Sequence, residues 1–184
     1  MMTRQNDFLT LPLDATLQDV ASSFDCGAPV YNRFIKGRKA LDPSYGKTYV
    51  LPTSDRGEIA GYYNIGTSCI EFDDGYQRLK QGGSIHINYL ALGREYRGVL
   101  AFDAPEGKAY WSDMLLNDCL QRIRYIREEY VGFLFVTLTA SRAGIHLYKR
   151  FGFMELDEDM SMSMSDDEKS GKGVQMYLPL EEYI

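Results

Sequence analysis

The sequence predicts a single α/β domain, and three observations carry the prediction. Val131–Thr139 (VGFLFVTLT) is a nearly continuous apolar run, the pattern of a strand buried on both faces of a sheet. Just before it, Leu115, Leu116, Cys119, Leu120, Ile123, Ile126 and Tyr130 fall on one helical stripe. In Ser84–Leu92 (SIHINYLAL), Ile85, Ile87 and Tyr89 alternate with Ser84, His86 and Asn88, which is strand period.

From the N-terminus, a short apolar lead at Phe8–Leu13 precedes a helix that Asp14 or Thr16 caps and that runs through Val20. Pro29 starts a second helix carrying Tyr31, Phe34 and Ile35, since proline suits the first helical position. Thr48–Leu51 and Glu58–Ile65 read as two strands joined across the turn at 54–57. Gln81-Gly82-Gly83 punctuates the chain before the strand at 84–92. A helix is expected from Lys108 to Tyr130, with Asp118, Arg122 and Glu129 away from its apolar stripe. A further helix at Ser141–Arg150, capped by Ser141, ends at Gly152, and short strands follow at 153–156 and Val174–Leu180. No repeat and no linker divides the 184 residues, so one domain at 1–184 is expected, with a mobile acidic loop at 157–172.

Composition narrows the function classes. With 13% aromatic residues and 45% apolar, the chain has too much core material for disorder. Neither a bilayer-spanning run nor a signal-type apolar stretch occurs, so a cytoplasmic protein with no membrane association is expected. Cys26, Cys69 and Cys119 share no metal-ligand spacing, so no metal is expected. The net charge of −6 argues weakly against nucleic acid, because the segment 157–170 alone carries −5 of it. Basic groups stand elsewhere, at Arg33, Lys36, Arg38 and Lys39, at Arg122, Arg124 and Arg127, and at Arg142, Lys149 and Arg150.

Three stretches, in order, resemble the GCN5-related N-acetyltransferase family. TASRAGIHLYKRFGF at 139–153 is similar to that family's N-x-x-A-x-x-L-Y-x-x-x-G-F: Leu147, Tyr148, Gly152 and Phe153 match, while Ser141 replaces Asn and Gly144 replaces Ala. YLALGREYRG at 89–98, with LLNDCL at 115–120, resembles the central strand, pyrophosphate loop and following helix. GYYNIG at 61–66 resembles the preceding strand. The shorter stretch FDCGAPVYNRFIKGRKA at 24–40 is similar to the toxin–antitoxin branch, which acetylates the amino acid on charged tRNA.

The resemblance implies a mixed central sheet with a splay between its central strands, flanked by helices, and acetyl-CoA as cosubstrate. Acetyl would pass by direct attack to a primary amine, whether on aminoacyl-tRNA, a small molecule or a protein. The backbone of Leu90, Ala91 and Leu92 would pair with the pantetheine arm as an added strand does. Tyr148 would protonate the departing thiolate or hold it by a hydrogen bond. Ser141, at the head of the motif, is carried over as a coenzyme contact.

The pyrophosphate loop departs from the pattern, with about eleven extra residues at 99–109. One placement puts the loop at Glu106-Gly107-Lys108-Ala109; the other keeps Arg97-Gly98 and lets 99–109 protrude. This departure motivates a rival reading, a scaffold that no longer catalyses and serves as a binding or regulatory module. The partners to test are the amine acceptor, tRNA, an antitoxin protein and a second copy of the chain. His86 is expected as a structural histidine, Glu71, Asp73 and Asp74 as a solvated turn, and His146 as surface. Cys119 is expected in the core, and the Met-Ser alternation at 160–165 as flexible loop.

Overall fold

The computed structural model describes residues 8–55, 57–73, 75–76, 78–104, 107–162 and 173–180. Four helices and ten strands are described: β1 (Leu11–Pro12), α1 (Ala15–Val20), α2 (Pro29–Lys36), β2 (Lys47–Pro52), β3 (Ile59–Asp73), β4 (Arg78–Leu92), β5 (Leu100–Ala104), β6 (Gly107–Tyr110), α3 (Trp111–Glu129), β7 (Phe135–Ala140), α4 (Ile145–Arg150), β8 (Met154–Glu155), β9 (Met160–Met162) and β10 (Val174–Pro179). Among the described residues, eight strands form one sheet in the order β1-β2-β3-β4-β7-β10-β8, with β9 pairing β3. Neighbours are antiparallel except β4 and β7, which run parallel and make the sheet mixed.

Helices cover both faces, and each face has its own core. Tyr62, Val50, Phe34 and Ile35 pack under α1 and α2. Tyr63, Leu115, Leu116, Ile123, Val136, Leu138 and Tyr148 pack under α3 and α4. Adjacent strand residues point to opposite faces, so the Tyr62-Tyr63 pair supplies one ring to each core. Fully burying a side chain of Leu or Ile size contributes roughly 1.5–3 kcal/mol, so the sheet is held from both sides.

The local signals act as expected at α1 and α2. The Asp14 carboxylate accepts the Leu17 N–H at 2.8 Å, and Pro29 occupies the first turn of α2. Elsewhere the chain differs from expectation. Gln81-Gly82-Gly83 does not interrupt the strand: β4 runs through it, with a bulge where Ile70 pairs Gly82 and Glu71 pairs Lys80. Gly82 has φ 150°, and a Cβ there would lie 2.6 Å from the Leu134 side chain, so only glycine fits the crossing. Residues 108–110 belong to β6, and α3 begins at Trp111. Residues 131–134 precede β7, whose buried run is Val136–Leu138.

Asp118 and Arg122 lie inside the protein, although the helical stripe left them on the polar face. The lead at Phe8–Leu13 crosses α3 and covers them. Asp118 accepts the Leu9 N–H and the Thr10 hydroxyl, both at 2.6 Å, and the Tyr63 hydroxyl at 2.8 Å. Arg122 donates to the Tyr63 hydroxyl at 2.7 Å and to the Thr10 carbonyl at 2.9 Å, between the rings of Phe8 and Tyr49. Buried charges need hydrogen-bond partners, and these two have them, with Thr10 and Tyr63 bridging one to the other.

In the acidic segment, residues 160–162 form β9 against Ile70–Phe72, while 163–172 lie outside the described residues. No described helix is long and apolar enough to cross a membrane.

Candidate active site

The parallel pairing of β4 with β7 covers only Ser84–Ile87 against Phe135–Leu138. Beyond it, β4 continues through Leu92 paired only with β3, and β7 continues through Ala140 paired only with β10. The two strands part at their C-terminal ends, and among the described residues the β7-facing edge of Leu90, Ala91 and Leu92 has no strand partner. Thr139, the first β7 residue past the pairing, has a buried hydroxyl with no hydrogen-bond partner among the described residues. An extended amide-bearing ligand suits such an edge, because it supplies the missing ladder.

Parallel strands end on the same side, so the turn after β7 leads α4 to that opening. Ser141 starts this turn: its carbonyl accepts the Gly144 N–H at 2.9 Å, and α4 begins at Ile145 with Gly144 as its cap. Ser141 is therefore exposed in the turn and does not cap the helix. Tyr148 is buried, its ring edge-on to Phe153 at 5.7 Å. Burial pushes its phenol above the ordinary range, and Tyr31 and Cys119 nearby add to the shift. The hydroxyl thus stays protonated and can only donate or accept a hydrogen bond at neutral pH.

The inserted residues settle into a β-hairpin, β5 against β6, that stands apart from the main sheet. Its base is closed where the Trp111 N–H donates to the Val99 carbonyl at 3.2 Å, which brings Gly98 beside the first turn of α3. Gly98 has φ 66° and open space where a Cβ would stand. Gly107, Lys108 and Ala109 sit on the returning strand of the hairpin, not in a loop opening the helix, and Glu106 lies outside the described residues. Lys108 is exposed and 3.7 Å from Asp103. Arg97 turns the other way and donates to the Cys26 carbonyl, while Arg94 pairs with Asp25 at 3.0 Å. In the first turn of α3, Asp113 accepts the Tyr110 N–H at 3.2 Å and pairs with Arg150 from α4.

A groove of about 540 Å³ opens beside β4, with Phe34, Lys39, Tyr45, Lys47, Asn88 and Tyr89 among its walls. A hydrogen-bond chain fastens its floor: Asn88 donates to Asn64 at 2.6 Å, Asn64 to Thr48 at 3.0 Å, and Thr48 to the Ala40 carbonyl at 2.7 Å. Tyr89 stacks on Phe34 with centroids 3.9 Å apart and meets the edge of Tyr31, which links the groove to the surroundings of Tyr148. Among the described residues, no carboxylate or histidine lines the groove. Among the described residues, Arg33, Arg38, Lys39 and Lys47 make no ion pair. Charge marked Lys39 and strand alternation marked Tyr89, but neither marked the groove, which forms only when the segment 39–47 folds over β3 and β4. A larger cleft, lined by Gly82, Phe133, Leu134 and Leu180, lies at the other end of the same strands, away from Tyr148.

The remaining candidates fall outside the opening. His86 is buried on the paired part of β4, its Nδ1 2.9 Å from the Thr137 hydroxyl. Asp73 sits at the far end of β3, accepting the Gly75 N–H at 3.0 Å in a turn; Asp74 lies outside the described residues. His146 is exposed. Burial raises the Cys119 thiol well above its usual range, so it offers no nucleophile. No group of three or more described His, Cys, Asp or Glu side chains is arranged to hold a metal ion.

No protein-family model matches the chain, and no curated protein sequence does. Solved structures do. One described as a bacterial toxin has a TM-score of 0.66 at 20% identity, covering 94% of this chain and 90% of its own. AtaTR bound with acetyl-CoA has a TM-score of 0.60 at 19% identity, covering 92% of each chain. A putative N-acetyltransferase from Lactobacillus plantarum has a TM-score of 0.54 at 12% identity, covering 94% of this chain and 99% of its own. At these identities the shared property is the fold, which is that of the GCN5-related N-acetyltransferases, including the toxin–antitoxin type.

Proposed function

We propose that the chain is an N-acetyltransferase that uses acetyl-CoA to acetylate the α-amino group of aminoacyl-tRNA. The observation that carries the reading is the parting of β4 from β7 beyond Ile87 and Leu138, with the buried hydroxyl of Tyr148 brought to the same end. Acetyl-CoA supplies the acetyl group as an activated thioester. The free edge of Leu90–Leu92 binds the pantetheine amides, and Gly98 with the first turn of α3 faces the diphosphate. Arg97 is engaged with the Cys26 carbonyl, Gly107, Lys108 and Ala109 lie on the hairpin, and Ser141 is exposed in the turn before α4.

In the transfer, the amine nitrogen bonds to the acetyl carbon as the carbon–sulfur bond breaks. The amine loses a proton and the sulfur gains one. With its phenol held above the ordinary ~10, against ~8.5 for a thiol, Tyr148 stabilises the developing thiolate as a hydrogen-bond donor and keeps its own proton. The proton leaving the amine goes to water, and the departed thiolate takes its proton from water.

The groove selects the acceptor. Without a carboxylate or histidine to act as base, the amine must arrive neutral. An α-amino group, with a pKa of about 7.7–8.0, meets that condition better than a lysine at ~10.4. Lysines beside aromatic rings suit a nucleotide end, with phosphate on the cation and base on the ring. The toxin reading brings an antitoxin protein as partner. The purified protein is incubated with radiolabelled acetyl-CoA and charged tRNA, polyamines or peptides in parallel. Label on the aminoacyl end alone supports the proposal; no label on any acceptor, with no thermal shift from acetyl-CoA, supports the non-catalytic scaffold.

A further inference from the structure

Asp113 lies where the proposed reading puts the coenzyme's diphosphate, and this inference rests on that reading. Its carboxylate accepts the Tyr110 N–H at 3.2 Å, one of the amides that a helix start leaves unpaired. Its other oxygen holds the guanidinium of Arg150. The side chain of Asp113 is 21% exposed and that of Arg150 55%, so Arg150 has room to turn toward another anion. Gly98 precedes Val99, whose carbonyl accepts the Trp111 N–H, and has open space where a Cβ would stand.

A carboxylate in the first turn of a helix satisfies the dipole and the amides that would otherwise attract an anion. It also repels a diphosphate directly, and at this partly exposed depth the repulsion is only partly screened. Arg150 belongs to α4, two residues beyond Tyr148, so the pair ties the helix that carries the hydroxyl to the start of α3.

We infer that Asp113 is an internal competitor of the coenzyme's diphosphate, and that Arg150 exchanges Asp113 for that diphosphate when acetyl-CoA binds. Asp113 therefore sets how strongly the protein discriminates a coenzyme A thioester from a shorter pantetheine thioester. Removing its charge strengthens the hold on the diphosphate and leaves the pantetheine contacts alone. Removing Arg150 weakens the hold on the diphosphate only.

Calorimetric titration of the full chain with acetyl-CoA and with S-acetylpantetheine tests this. Asp113→Asn keeps a side-chain oxygen for the Tyr110 amide, and circular dichroism checks that the variant is folded. Asp113→Asn should bind acetyl-CoA roughly three- to tenfold more tightly, from the loss of one like charge at a helix start. Arg150→Gln should bind it several-fold more weakly, and S-acetylpantetheine should distinguish none of the three proteins. Wild-type binding that Asp113→Asn leaves unchanged or weakens overturns this inference alone. Binding of acetyl-CoA by none of the proteins overturns it together with the functional reading.

Discussion

A Cβ placed on Gly144 would lie 3.1 Å from Cε2 of Tyr148. The first turn of α4 thus lies close against the tyrosine ring, and a methyl at this place would press on it. Gly144 has φ −86°, so no backbone strain demands glycine there.

Gly144→Ala should move the ring by a few tenths of an ångström. Stability should change little, because the lost backbone freedom of the unfolded chain, roughly 0.4–1 kcal/mol, offsets the crowding. Turnover should fall several-fold with the affinity for acetyl-CoA unchanged. Steady-state kinetics and thermal unfolding check both parts.

The pH dependence follows from the burial of Tyr148. A raised phenol keeps its proton above the usual ~10, so kcat/KM should rise as the α-amine deprotonates near ~8 and then stay level to about pH 10. Tyr62, Tyr63 and Tyr148 are all raised by burial, which favours the protonated, folded form. Their stabilising effect is complete below the unfolded value of ~10 and is lost as pH climbs above it. Cys119, raised likewise by burial, acts in the same way from the ordinary thiol value of ~8.5 upward, so chemical denaturation between pH 7 and 11 should show stability falling above ~8.5 and more steeply above ~10.

The buried network under the N-terminal strap makes a different prediction. Asp118→Ala leaves Arg122 with an uncompensated charge beneath Phe8 and Tyr49. Leaving a buried charge without its neighbouring counter-charge, and Leu9, Thr10 and Tyr63 without their shared acceptor, costs about 3–5 kcal/mol. For a chain of this size that lowers Tm by roughly 6–20 °C. Calorimetry of Asp118→Ala checks it; a change under about 1 kcal/mol would mean the network is solvated.

Much of this was readable in the sequence. Apolar period and proline or aspartate signals located α1, α2, β2, β7 and the helix under Tyr148, because those signals act within a few residues. What escaped depends on distant segments. Asp118 looked solvated since its cover, Leu9, is 109 residues away in the chain. Asp113 and Arg150 are 37 residues apart and meet only once α3 and α4 share one end of the sheet. Residues 108–110 looked helical because a four-residue strand of a small hairpin has too few turns of its period to announce itself.

Charged tRNA should depend on the basic rim of the groove. Lys39→Glu with Lys47→Glu should raise KM for charged tRNA at least tenfold, flatten its dependence on salt, and leave acetyl-CoA binding alone. Filter binding across a salt series measures this. Equal salt slopes for both proteins would place the RNA elsewhere.

The most direct measurement concerns the Tyr148 hydroxyl. Tyr148→Phe keeps the ring against Phe153 and Gly144, so fold and acetyl-CoA affinity should match wild type. Single-turnover transfer of label from acetyl-CoA to charged tRNA should fall by roughly 10²–10³, the usual scale for losing one hydrogen-bond donor to developing charge. A Phe variant that transfers label within a few-fold of wild type would contradict the account, leaving Tyr148 as packing and the departing sulfur to water.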